Sequence, residues 1–213
     1  GSAFVLALKA DGSIWAWGAN SQGQLGQVTA NSAVTAPIQV PGLSGITSIA
    51  AGGAFGVANA AATAQVYQWG LVATALNAPL TSNRPPTAVP VANASPSVGL
   101  ANGPVAAADS TGFAYSLLAA WAWGAGGSGQ LGDGTNTNVM PTAVSGVFAA
   151  GGTSPAMPTV AGGGPAHAFQ LSFYSPVGGP ALFTWGSNNR GQLGHGTTTD
   201  ANKRTIVPNF GDV

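Results

Sequence analysis

The chain has 213 residues, 45% of them hydrophobic, and only ten charges: Lys9, Arg84, Arg190, Lys203 and Arg204 balance Asp11, Asp109, Asp133, Asp200 and Asp212, with no glutamate. Zero formal net charge argues against nucleic acid as a partner, because such binding rests on lysine and arginine displacing counterions. The absence of cysteine removes disulfides, thiolate metal sites and cysteine nucleophiles, and no apolar run reaches the roughly 18 residues a membrane span needs.

Along the chain, one pattern recurs. The first unit opens on the apolar run Phe4-Val-Leu-Ala-Leu8, turns at Asp11-Gly12 and continues in Ile14-Trp-Ala-Trp-Gly18, two short strands joined by a hairpin. It then carries Gly23-Gln-Leu-Gly26 and closes on Pro37-Ile-Gln-Val40. The second unit repeats this with Phe55 to Asn59, Trp69-Gly70 and Pro86 to Val89, but has Ala75-Leu76-Asn77-Ala78 where the glycine motif belongs. The third has Phe113 to Leu117, Trp123-Gly124, Gly129 to Gly132 and Pro141 to Val144. The fourth has His167 to Leu171, Trp185-Gly186, Gly191 to Gly194 and Thr205 to Pro208.

Trp17, Trp69, Trp123 and Trp185 are thus spaced by 52, 54 and 62 residues, and in three units the same tetrapeptide starts six residues after the tryptophan. No segment shows a sustained helical period. A unit of about 50 residues holding several short strands, marked by glycine and tryptophan at fixed offsets, reads as a propeller blade. The fold class is therefore all-β, with four blades in one repeat domain, 1–213, and the four tryptophans packing blade against blade. Trp15 and Trp121 lie two residues earlier on the same strand face, from which they can reach a rim.

Asp11-Gly-Ser-Ile-Trp-Ala-Trp-Gly18 with Gly23 to Gly26, and Trp185-Gly-Ser-Asn-Asn-Arg-Gly-Gln-Leu-Gly-His-Gly-Thr197, closely resemble the repeats of the regulator of chromosome condensation family. The resemblance is strong in units one, three and four and weak in unit two. It implies four-stranded blades around a central axis, usually seven of them. Gly1-Ser-Ala-Phe4 aligns with Gly52-Gly-Ala-Phe55, and Pro208 to Val213 with Pro41 to Ile46. Both ends fall inside one repeat, so the expectation is part of a larger ring, or an arc whose apolar blade faces and open edges are covered by other copies.

Candidate chemistry is sparse. Gly124-Ala-Gly126-Gly-Ser-Gly129 fits the dinucleotide pattern, but that pattern needs a following helix, and here the glycines run into Gln130-Leu131-Gly132. Blade-corner glycines explain it, and no cofactor is expected. His167 and His195 have no further His, Cys or Glu with which to complete a zinc site. His167 stands where the other units place Phe4, Phe55 and Phe113, so it is read as a packed ring making one hydrogen bond, and His195 as part of an exposed loop. Asp133-Gly-Thr-Asn136 reads as a polar turn rather than a calcium loop. Asn93-Ala-Ser95 has the form of a glycosylation acceptor, disfavoured by Pro96. No nucleophile elbow orders a hydrolase triad.

Specific function is expected where repeats differ, in Leu71 to Pro90, Val91 to Pro104, Gly151 to Pro158 and Tyr174 to Pro180. The one charged cluster, Arg190, His195, Asp200, Lys203 and Arg204, is the candidate partner-binding rim. The reading is a non-catalytic protein-binding or adhesive scaffold that binds a protein or associates with itself. Low charge and abundant Ala, Gly, Ser, Thr and Asn point compositionally to a bacterial protein at the cell surface or outside the cell. A regulatory propeller that binds a small GTPase or chromatin, as the resemblance implies, is the second reading, and a hydrolase the third.

Overall fold

A computed structural model describes residues 1–27, 32–63, 65–72, 81–88, 103–115, 120–137, 139–142, 160–172 and 180–210. Among these, every element but the short 3-10 turn Ala61–Thr63 is a strand, and the strands form four separate antiparallel sheets. Blade one holds β1 (Phe4–Leu8), β2 (Ile14–Ala19) and β3 (Ala33–Gln39) in order. Blade two holds β4 (Ile46–Ala51), β5 (Phe55–Ala60), β6 (Gln65–Val72) and β7 (Thr81–Ala88). Blade three holds β8 (Val105–Ala107), β9 (Thr111–Tyr115), β10 (Ala120–Gly124) and β11 (Val139–Thr142). Blade four holds β12 (Val160–Gly163), β13 (His167–Ser172), β14 (Ala181–Gly186) and β15 (Ala201–Ile206). These are propeller blades, each built around one of the four repeated tryptophans.

The hairpin between β1 and β2 forms as its Asp-Gly turn dictates. Gly12 sits at φ 79°, and the Asp11 carboxylate accepts from both the amide (2.9 Å) and the hydroxyl (2.6 Å) of Ser13. Those two bonds hold the Asp11 carboxyl below its ordinary pKa. The glycine after each tryptophan has a common cause as well. Gly18, Gly70, Gly124 and Gly186 all lie at φ between 92° and 109°. In every blade the register between the tryptophan strand and the outer strand shifts at that residue. The Trp-Gly pair therefore marks a bulge that glycine alone enters without strain. Prolines 37, 86 and 141 fall in the outermost strands, where a missing amide costs no ladder bond.

Strand register corrects one sequence alignment. Phe4, Phe55 and His167 pair with Gly18, Gly70 and Gly186, but the residue paired with Gly124 is Thr111, whereas Phe113 pairs with Ala122. The third unit therefore sits two residues away from the register that its phenylalanine implied. Period-2 patterning hides the slip, because a shift of two leaves every side chain on its own face.

The inner strands β1, β4, β8 and β12 pack in sequence, and the core is laid down at the blade boundaries. Phe4, Ile14, Ala16 and Leu25 of blade one meet Ala58 and Trp69 of blade two. Phe55, Val57 and Val66 meet Ala114, Trp121 and Trp123. Phe113, Tyr115 and Leu131 meet Ala168, Phe183 and Trp185, with the Phe113 and Trp185 rings edge to face at 6.0 Å. Each blade thus has two unlike faces, one carrying its tryptophan and one carrying the alternate residues of the same strands.

Candidate functional site

The Gly-Gln-Leu-Gly corners are the best-defined loops, and each residue in them has a task. Two successive turns are closed by Gly23 on Asn20 and Gly26 on Gly23, and the same pair of turns recurs at Gly126/Gly129/Gly132 and Asn188/Gly191/Gly194. All six motif glycines lie at φ between 67° and 79°, where a side chain is strained. The leucines, Leu25, Leu131 and Leu193, are buried beneath the turn. The glutamine side chains brace the loop from inside: Gln24, Gln130 and Gln192 accept the amides of Gln22, Ser128 and Arg190 at 2.8 to 2.9 Å.

That bracing leaves the glutamine backbone carbonyl free to meet the next blade. Trp69 Nε1 donates to the Gln24 carbonyl at 2.9 Å, and Trp185 Nε1 donates to the Gln130 carbonyl at 2.8 Å. A Cβ on Gly132 would lie 2.9 Å from Trp185 Nε1, so the last glycine of the motif also clears space for the indole. The corresponding stretch of unit two, Ala75 to Ala78, lies outside the described residues. There Trp123 Nε1 donates instead to the side-chain oxygen of Gln68, at 2.8 Å. The tryptophan of each of blades two, three and four is thereby hooked onto the blade before it.

A second set of bonds runs the other way near the inner strands. The Ser2 amide donates to Gly53 O at 3.1 Å, Gly53 to Asp109 O at 2.7 Å, and Asp109 to Gly164 O at 3.4 Å. Beside this ladder, the rings of Phe4, Phe55 and His167 each lie where a Cβ on Gly1, Gly52 or Gly164 would stand. Blade three has Ala108 and Thr111 at these places, a larger backbone residue with a smaller partner.

The five predicted rim residues do not converge on one point. Arg190 is exposed at the tip of the blade-four corner. His195 is half-buried rather than free in an exposed loop, with its Nε2 2.8 Å from Thr184 Oγ1. Thr184 gives its one proton to Leu193 O at 2.6 Å, so Nε2 is the donor in the histidine contact. Asp200 braces the same corner by accepting the Asn188 amide at 2.6 Å. Lys203 is exposed and its backbone bridges to Asp133 of blade three. Arg204 turns inward, its guanidinium 3.5 Å from the centroid of the Phe183 ring, and burial lowers its pKa to about 10, with the coulombic effect of Tyr115 opposing. Arg190, Asp200 and Lys203 are thus the exposed members, and His195 and Arg204 serve the packing of the blade.

Of the other singled-out residues, His167 packs as a ring against Gly164, whose amide donates to the His167 carbonyl at 2.9 Å, and no hydrogen bond reaches the imidazole nitrogens among the described residues. Gly124 to Gly129 form the blade corner and lead into no helix. Asp133 accepts both the amide and the hydroxyl of Thr135 at 2.8 Å, closing a polar turn. Trp121 is buried in the second boundary, whereas Trp15 is half-buried with Lys9 Nζ 5.4 Å from its ring centroid. Among the described residues no group of three or more His, Cys, Asp or Glu could hold a metal ion, and no helix is long and apolar enough to cross a membrane. Asn93 to Ser95 and the inter-repeat segments 73–80, 89–102, 151–159 and 173–179 lie outside the described residues.

Blades with this tryptophan and glycine framework define a β-propeller repeat protein. Residues 11–58 and 181–210 match the regulator of chromosome condensation (RCC1) repeat. It is similar to human WBSCR16 (22% identity, TM-score 0.73), with 97% of this chain covering 51% of that one. It is also similar to Prp20p of Saccharomyces cerevisiae, at 19% identity and a TM-score of 0.66, over 97% of this chain and 48% of that one. The structure of yeast RCC1 (Prp20) bound to Kap60 aligns likewise, at 20% identity and 0.65, over 97% and 47%. The chain spans about half the length of these structures. No curated protein matches it in sequence.

Proposed function

We propose that this chain is a non-catalytic protein-binding propeller segment, in which latched blades hold the corner loops rigid so that their exposed residues meet a protein partner. The observation that carries the reading is the conjunction of corner and latch. The corner glutamine is spent on internal bracing and the tryptophan on the neighbouring blade, which leaves exposed residues such as Arg190 to contact something else. Prp20p, whose fold is similar over 97% of this chain, binds Gsp1p and histones, which favours a regulatory propeller acting on a small GTPase or on chromatin over an adhesive surface module.

The low charge shapes that proposal. With a formal net charge of zero the chain exerts no long-range pull on a charged partner, so the salt dependence of binding is expected to be shallow and confined to the few charges at the rim. Calorimetric titration of the purified chain with Gsp1p and with histone octamers tests the reading. Saturable binding to either supports it, with Arg190→Ala and Lys203→Ala weakening the complex while leaving the melting temperature unchanged. Heat-silent titrations with both proteins at concentrations reaching tens of micromolar, roughly the weak end of specific association, overturn it.

A further inference from the structure

Aspartate followed by glycine is a chemically labile backbone pair, and it occurs twice, at Asp11-Gly12 and Asp133-Gly134. Asn102-Gly103 shares this chemistry, and Asn102 lies outside the described residues. In an Asp-Gly pair the glycine amide nitrogen attacks the aspartate Cγ; an N–C bond forms, water leaves, and a succinimide ring results. Water then adds back. Opening the ring between nitrogen and Cγ restores aspartate, whereas opening it between nitrogen and the main-chain carbonyl leaves isoaspartate, whose backbone runs through Cβ and is one carbon longer. The reaction needs the nitrogen released from its hydrogen bond and the carboxyl free to swing over it.

The two pairs are restrained in different ways. The Gly12 amide donates to Lys9 O at 2.9 Å inside its own hairpin, and the Asp11 carboxylate is held by Ser13 and stands 3.7 Å from Lys9 Nζ. Every bond on these reacting atoms is local. The Gly134 amide instead donates to Asn202 O of blade four at 2.8 Å, and Asn202 Nδ2 donates back to Gly134 O at 3.0 Å, across a sequence separation of 68. Asp133 bridges Lys203 in the outermost strand of that blade, and a Cβ on Gly134 would lie 2.9 Å from Lys203 Cε. The Asp133 carboxylate is turned onto the Thr135 amide and hydroxyl. Freeing the Gly134 nitrogen therefore requires the outer strand of blade four to draw back from blade three.

We propose that Asp133-Gly134 is a site of isoaspartate formation gated by the boundary between blades three and four: closed, the boundary withholds the Gly134 nitrogen, and open, it releases it. Local opening of this kind is a native-state event that precedes global unfolding. The product resists reversal by structure. A carbon added between residues 133 and 134 moves the Gly134 amide off Asn202 and unseats the bridge to Lys203, so a boundary that has reacted recloses without its outer clasp. Charge is conserved, because the displaced carboxylate remains. The site thus records past openings of one boundary. This goes beyond the partner-binding reading above and stands independently of it, since it rests on a contact between blades rather than on the corner tips.

Peptide mapping by mass spectrometry, with chromatographic separation of aspartyl and isoaspartyl forms after prolonged incubation at neutral pH, reads each pair separately. In the folded chain both pairs are expected to react far more slowly than in the urea-unfolded chain. Trp185→Phe keeps a ring and removes the indole donor that joins blade four to Gln130 O, and it is expected to speed the reaction at Asp133 by about tenfold while leaving Asp11 unchanged. Trp69→Phe makes the same change at the first boundary and is expected to leave Asp133 at its wild-type rate. Wild-type chain in urea below its unfolding midpoint needs no variant. There the Asp133 rate is expected to climb with urea, because opening the boundary exposes apolar surface, and the Asp11 rate to stay flat, because freeing one turn exposes little. Should Trp185→Phe unfold the chain, these two slopes decide. A folded chain that isomerises Asp133 as fast as the unfolded one overturns the proposal. So does a folded Trp185→Phe chain that speeds both pairs equally or neither, a Trp69→Phe chain that speeds Asp133 as much, or equal urea slopes at the two pairs.

Discussion

The indole of Trp123 donates its proton to the side-chain oxygen of Gln68, 2.8 Å away, where the neighbouring boundaries use a backbone carbonyl. Both residues are buried, so the bond is exchanged for no water if it breaks. Gln68→Leu is expected to destabilise the chain by about 1–3 kcal/mol by stranding the buried donor. Adding Trp123→Phe to that variant should recover part of the loss, measured by urea unfolding. If both single changes simply add in the double variant, the two groups are not coupled.

The four repeated tryptophans should not be equal. Trp185→Ala empties a fully enclosed site and is expected to cost about 3–5 kcal/mol. Trp17→Ala removes a half-exposed ring and should cost less than about 2 kcal/mol. Thermal melts of the two variants check the ranking. Equal losses would mean that Trp17 is enclosed within the monomer.

Gly52 and Phe55 fit one another because the glycine has no Cβ, and Gly52→Ala would drive that atom into the ring. The expected loss is about 1–3 kcal/mol from overpacking. In blade three, Thr111→Phe is expected to be destabilising by itself and better tolerated with Ala108→Gly. Denaturation of the two single variants and the double variant reads this coupling directly, and strict additivity would sink the idea.

Gln170 is 0% exposed, and among the described residues neither its amide nitrogen nor its amide oxygen finds a partner. The equivalent positions by register hold Ala7, Ala58 and Ala114. Gln170→Met keeps most of the volume and removes the unpaired polar atoms, so it is expected to stabilise by about 1–3 kcal/mol. A lower urea midpoint for the methionine variant would show the amide to be useful where it is.

Burial pushes the Tyr115 phenol well above its ordinary pKa, and the Arg204 charge pulls it only partway back. A group whose pKa is raised in the folded state contributes fully below its unfolded value of about 10 and loses that contribution as pH climbs above it. Arg204, lowered by burial to about 10, acts in the opposite direction over the next pH units, since the unfolded chain holds that proton longer. Comparing wild type with Tyr115→Phe isolates the phenol. The variant should gain stability relative to wild type between pH 9 and pH 11, roughly the span of the unfolded tyrosine titration. Parallel curves would show that the phenol ionises freely in the folded chain.

What the sequence disclosed and what it concealed divide along physical lines. Trp-Gly and Gly-Gln-Leu-Gly were readable because a bulge and a double turn each demand glycine at a fixed offset, which leaves a mark no matter what surrounds it. The third blade's register was not, because Thr111 and Phe113 share a strand face and only pairing separates them. The replacement of a lost corner by Gln68 was equally hidden, since nothing local distinguishes that glutamine from Gln65 or Gln27. The charged cluster was legible as residues but not as surroundings: charge implied a solvated rim, which Arg190, Asp200 and Lys203 keep, whereas the Arg204 guanidinium lies on an aromatic face and His195 ties down its own corner. The repeated glutamine was the available clue to the latch, being the one polar residue kept unchanged in all three intact motifs.

The inner amides hand each bond forward, from Ser2 to Gly53 to Asp109 to Gly164, while the indoles reach back from Trp69, Trp123 and Trp185 to the blade before. The arrangement is vectorial: every boundary has a giving and a receiving side, and the order never inverts. Each blade therefore presents a receiving side to the one after it and a giving side to the one before, and the stack of blades has a polarity that follows the chain.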